Sequence, residues 1–141
     1  MNSNFNSFFQ NIKWDERFSW FEGSYISENN EVLIFYIVST DSNNISPINE
    51  TLAFFVEVGN TIDYLIQEIA DKYYPVYCHD WAVSKPVMKS VFTDSIRLSV
   101  ITYYALHEKR LTFKANDFFG NHDFCVNIGE EVTIKGIVLE G

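Results

Sequence analysis

Apolar positions recur along this chain with two periods, and the change from one to the other sketches a fold. Phe5, Phe8, Phe9 and Ile12 follow helical spacing and predict a short opening helix after an Asn/Ser-rich start. Phe18–Ser27 (FSWFEGSYIS) and Glu31–Ser39 (EVLIFYIVS) carry the aromatic and β-branched side chains that suit a pleated surface. They predict two strands joined through Ser27–Asn30 as an antiparallel hairpin. Gly23 inside the first marks a bulge or a close backbone approach. The second is apolar on both faces, so it is expected to be covered on both sides. Thr40–Ser46 (TDSNNIS) reads as a surface loop.

The period then lengthens. Ser46 as N-cap and Pro47 as first helical residue open a run in which Leu52, Phe55, Gly59, Ile62, Ile66, Ile69 and Tyr73 recur every three or four positions. They predict one long helix, with Gly59-Asn60 as the place for a break and Pro75 as the stop. Leu52–Val58 (LAFFVEV) also has strand composition, but the uninterrupted period favours helix. Val76–Asp94 is irregular, with a further capping position near Ser84-Lys85-Pro86, and is expected to cross the core with Trp81 as its anchor. Four strand-like runs follow: Ile96–Ala105, Arg110–Ala115, His122–Ile128 and Val132–Leu139. Leu111 and Phe113 face one way in the second run, and Arg110, Thr112 and Lys114 the other. The predicted architecture is α+β, with an N-terminal hairpin and a C-terminal four-strand meander forming an antiparallel sheet. One long helix and a short N-terminal one pack against it, in a single domain spanning 1–141.

Composition restricts what such a domain does. The 141 residues are 47% hydrophobic and 17% aromatic, ample for a core. The formal charge of −9 is uneven, with −6 of it in residues 1–58. Asp15, Glu16, Glu22, Glu28, Glu31 and Asp41 define an acidic N-terminal surface. Nucleic acid is a poor partner for it, because phosphate binding rests on clustered lysine and arginine. A basic protein partner suits it, since complementary fields speed encounter. No apolar run is long enough for a membrane span and no secretory signal opens the chain. Two cysteines, Cys78 and Cys125, do not form a disulfide framework. The cytoplasm is the expected compartment.

Candidate chemistry gathers in Asn116–Phe124, where Asp117, Gly120, His122 and Asp123 lie among three phenylalanines. A carboxylate beside an imidazole can orient it as a base. Strand alternation favours a structural role, because it places His122 on the inward face with Phe124 and Val126 and turns Asp123 away. In that reading His122 donates a ring N–H to a loop carbonyl or to Asp117, and the Asn116 and Asp117 side chains bond turn backbone. Gly120 supplies a conformation that other residues resist. Cys78, His79, His122 and Cys125 lack the paired spacing of a zinc site. There is no G-x-S-x-G, C-x-x-C, H-E-x-x-H or glycine-rich phosphate loop, so neither a catalytic set nor a cofactor or metal is expected. The binding residues of choice are Asp117, His122, Trp81 and Asp80.

Residues 60–141 resemble a bacterial family of domains of unknown function. The resemblance runs through a helix end (Asp71-Lys72-Tyr73-Tyr74), a tryptophan-bearing segment (Asp80-Trp81) and two hairpin strands. It continues through the acidic-aromatic turn Asp117-Phe118-Phe119-Gly120-Asn121-His122 and a last strand, Gly136–Gly141. Such small acidic domains are similar to immunity proteins encoded beside polymorphic toxins. The resemblance implies a non-enzymatic binding protein that neutralises a toxin in a stoichiometric complex through its acidic surface. It brings no catalytic residues with it. The alternative is a small-ligand-binding or enzymatic domain with a concave site near Asp117, His122 and Trp81, and a third reading is self-association through an exposed strand edge.

Overall fold

A computed structural model describes residues 10–27 and 29–141. Seven strands form one sheet in simple sequence order: β1 (Gln10–Asp15), β2 (Trp20–Ile26), β3 (Val32–Val38), β4 (Ile96–Ala105), β5 (Glu108–Ala115), β6 (Asp123–Ile128) and β7 (Ile134–Glu140). All neighbours are antiparallel except β3 and β4, which run parallel from Ile34↔Val100 to Ile37↔Tyr103. A parallel pair needs a crossover. Helix α1 (Ser46–Val76) supplies it, so the predicted hairpin and meander are two parts of one mixed sheet.

The N-terminus departs from the prediction. Ile12 lies in β1, which pairs with β2, and the rest of the predicted opening helix falls outside the described residues. β2 itself is regular through Gly23, which pairs with Phe35. The irregularity sits in β1 between Gln10 and Lys13, opposite that glycine.

α1 follows the predicted period without a break at Gly59-Asn60. Its buried stripe is rotated from the predicted one: Ile48, Thr51, Phe54, Val58, Leu65, Ile69 and Tyr73 go deepest, while Leu52, Phe55, Ile62 and Ile66 flank them. Ser46 is the first helical residue rather than the cap. Ile45 occupies the cap position, and its carbonyl accepts the Ile48 N–H at 3.0 Å. Pro75 is tolerated inside the last turn, but it donates no backbone hydrogen bond. The chain then loosens into a π-helical turn, Tyr77–Trp81, closed by Ala82 N–H to the Tyr77 carbonyl at 2.9 Å. A short helix, α2 (Lys89–Asp94), buries Phe92 beneath α1 and begins after Met88, not at Ser84.

The core lies between α1 and one face of the sheet, where Phe35, Ile37, Ile101, Leu111, Phe113, Phe124 and Val126 are all buried. The other face of β3 contradicts the two-sided burial expected of it: Val32 and Ile34 are 53% and 37% exposed. Both helices serve the core face, so the full apolar run of β3 does not imply two covers. Trp20 and Tyr36 instead lean together on the open face, ring centroids 4.8 Å apart.

Candidate functional site

The sheet has two unlike ends. At the end where α1 finishes, the Asn116–Phe124 corner packs into an aromatic cluster. Asn116 and Gly120 take left-handed conformations, φ +49° and +60°, which lets the turn close through Gly120 N–H to the Asp117 carbonyl at 3.1 Å and His122 N–H to the Phe119 carbonyl at 3.0 Å. Phe119 is driven inward to 1% exposure, against Tyr73, Trp81 and Phe124 at centroid distances of 6.1, 5.1 and 5.3 Å. Lys72 Nζ and the Tyr73 hydroxyl both donate to the Ile137 carbonyl, at 2.6 and 3.3 Å, and tie the helix end to β7.

The residues singled out in the sequence meet here only in part. His122 precedes β6 and is exposed, so the predicted inward face is not its place. Its Nδ1–H donates to the Phe119 carbonyl at 3.0 Å, the loop-carbonyl partner expected of it. Its ring meets Trp81 edge-on at 5.2 Å and lies hard against Gly141. Asp117 is exposed, and among the described residues neither its side chain nor that of Asn116 bonds the turn. Asp80 points away to His79, whose Nδ1 is 2.7 Å from Oδ1, and this bond holds the imidazole above its ordinary pKa. Asp80, Trp81, Asp117 and His122 line none of five cavities on the described residues, although Asn121, Asp123 and Cys125 line a shallow one beside the corner. Cys78 is half-buried and Cys125 buried, and among the described residues no three His, Cys, Asp or Glu side chains gather as a metal would need.

The N-terminal acids are largely engaged close to home. Asp15 binds Arg17 at 3.1 Å, and this partner lowers its pKa; Glu16 accepts the Trp14 indole N–H at 2.7 Å; Glu22 accepts that of Trp20 at 3.1 Å. Asp41 caps its own loop through the Asn43 and Asn44 amides at 2.8 and 3.0 Å. Glu31 sits at the far end of the β2–β3 hairpin, and Glu28 lies outside the described residues. Asp15 and Asp41 thus lie at one end of the sheet and Glu31 at the other.

A different acidic feature lies opposite the Asn116–Phe124 corner, at the end of the sheet where α1 begins. Here the β4–β5 turn and a 3-10 turn, Glu130–Val132, face the first turns of α1 across a groove of about 400 Å³. Ala53, Phe54 and Leu106 make an apolar floor, and Glu50, Glu57, Glu130 and Glu131 supply carboxylates. Tyr103 donates to Glu50 Oε1 at 2.5 Å, and burial followed by that bond raises the phenol's pKa. Lys109 stands opposite Tyr103 in the sheet, 5% exposed, with its amine 4.8 Å from the Phe54 ring centre and 2.7 Å from the Leu106 carbonyl to which it donates. Burial lowers the Lys109 pKa against the opposing pull of Glu57 and Glu130. The 3-10 turn is strained, because Glu131 and β-branched Val132 hold φ of +53° and +55°. The run predicted from sequence begins at Arg110 and leaves Lys109 just outside it, whereas β5 starts at Glu108. The overlooked signal was alternation: Lys109 stands two residues before Leu111 and four before Phe113, on their inward register.

Residues 6–137 match the family described as "Uncharacterized protein conserved in bacteria (DUF2262)", and the chain belongs to that family. The match takes in the N-terminal half as well as the segment from residue 60. No curated protein and no solved structure matches the chain.

Proposed function

We propose that this chain is a non-enzymatic bacterial binding protein that forms a stoichiometric complex with a basic protein partner, and that it acts as an immunity protein by occluding a toxin. The observation that carries the reading is the groove at the start of α1. Its carboxylates, Glu50, Glu57, Glu130 and Glu131, stand over the apolar floor of Phe54 and Leu106. A lysine or arginine of the partner would lay its aliphatic stem on that floor and its charge among the carboxylates. The net charge of −9 adds long-range attraction for a basic surface. Asp41 adds to it at the same end of the sheet, because it follows the end of β3, which runs parallel to β4.

The test is recovery of the tagged protein from its source cells at low salt, followed by sizing of whatever accompanies it. A basic protein in one-to-one ratio, lost at high salt and weakened by Glu57→Gln with Glu131→Gln, is the expected result. Recovery of the chain alone, together with no protection of cells against the product of a neighbouring gene, overturns the proposal.

A further inference from the structure

The acid-rimmed groove has an amine at its base that a purely acidic docking site does not require. Lys109 carries one hydrogen bond, to the Leu106 carbonyl at 2.7 Å, and rests on the Phe54 ring rather than against a carboxylate. It is 5% exposed, yet it lines a groove of about 400 Å³, a size that takes a small organic molecule. A lysine whose role was only to tie the hairpin turn needs no such opening beside it.

We propose that Lys109 is the reactive amine of a small-molecule site that takes neutral aldehydes or ketones as reversible imines. Desolvation favours its neutral, nucleophilic form. The lone pair on Nζ attacks the carbonyl carbon, and the C=O π pair moves to oxygen. A proton passes from nitrogen to that oxygen and gives a carbinolamine. The nitrogen lone pair then expels the hydroxyl group, which takes up one proton and leaves as water, and the remaining N–H proton returns to the groove. One amine and one carbonyl give one imine and one water, with no change of oxidation state. Glu57 and Glu130, whose charges act on the amine, are the groups placed to relay the protons. The lining selects the class of ligand. Glu50, Glu57, Glu130 and Glu131 repel keto acids and phosphorylated sugars, and Phe54 and Leu106 favour an apolar body.

The site does not depend on the toxin-binding reading, and its test uses the protein alone. The full chain is treated with benzaldehyde and cyanoborohydride near neutral pH, and the modified lysines are mapped by peptide mass spectrometry. Lys13 and Lys85, both exposed, serve as internal standards. Lys109 is expected to be alkylated faster than either, by about tenfold or more, because burial keeps more of its amine neutral and the groove holds the aldehyde beside it. With glyoxylate, an anion, that preference should vanish. Labelling of Lys109 no faster than of Lys13 and Lys85 overturns the proposal and leaves the amine as a structural tie. An equal preference with glyoxylate overturns the ligand class. Because the readout is on the unaltered protein, no variant has to fold for the result to count.

Discussion

Phe119→Ala separates a structural corner from a binding corner. The Phe119 ring is 1% exposed and touches the rings of Tyr73, Trp81 and Phe124, members of the cluster that joins the end of α1 to β6. Truncating a buried phenylalanine costs about 3–5 kcal/mol, lost transfer energy plus the cavity left behind. The upper part of that range applies, because Tyr73 sits on a long helix and Phe124 on a strand paired on both sides, and neither is free to collapse inward. His122, three residues on, is exposed and makes one hydrogen bond and one edge-on ring contact, so His122→Ala should cost about 0.5–1.5 kcal/mol. Urea unfolding followed by circular dichroism reads both. In a chain of this size Phe119→Ala should lower the melting temperature by roughly 10–20 °C, and His122→Ala by only a few degrees. If His122→Ala proves as costly as Phe119→Ala, or Phe119→Ala costs under about 1 kcal/mol, the corner is not held by its phenylalanine and the reasoning fails.

Two further predictions concern titration. Asp80→Asn removes the carboxylate charge that, through its hydrogen bond, raises the His79 pKa, so the imidazole should titrate at lower pH in an NMR series with no change in melting temperature; an unmoved His79 titration would refute it. Tyr103 has a raised pKa in the folded chain, so its contribution to stability is complete below the unfolded value of about 10 and is lost as pH climbs above it. Tyr103→Phe should therefore flatten the alkaline side of the stability profile, and an unchanged slope between pH 9 and 11.5 would show that Tyr103 ionises as freely folded as unfolded.

What could be read from the sequence was what local periodicity encodes. The long helix and the four C-terminal strands stand where their 3.6- and 2-residue patterns put them, with ends shifted by one or two residues. β1 was hidden because Gln10–Asp15 offers only Ile12 and Trp14 as alternating apolar positions, and Ile12 also completes the helical spacing of Phe5, Phe8 and Phe9. The parallel β3–β4 pairing joins strands separated by α1, and no local pattern announces a partner more than sixty residues away. The local partners of the acids were likewise not legible: Asp15, Glu16, Glu22 and Asp41 are each bonded to a residue within three positions. The carboxylates that do converge, Glu50, Glu57, Glu130 and Glu131, come from segments some eighty positions apart.

The parallel ladder from Ile34 to Ile37 is also a seam. On one side lie β1–β3, built from residues 10–38, and on the other the four-stranded meander; the connection through α1 carries the chain across it. A molecule whose first three strands peeled away would present the long edge of β4, with Val100–Tyr103 unpaired, as a template for another copy's β3. Thr40–Ile45 would serve as the hinge, and two molecules could trade N-terminal units without altering any pairing within either unit. Fragments cut within that loop should recombine by the same ladder, which makes the seam a natural place to divide the protein and to rejoin it.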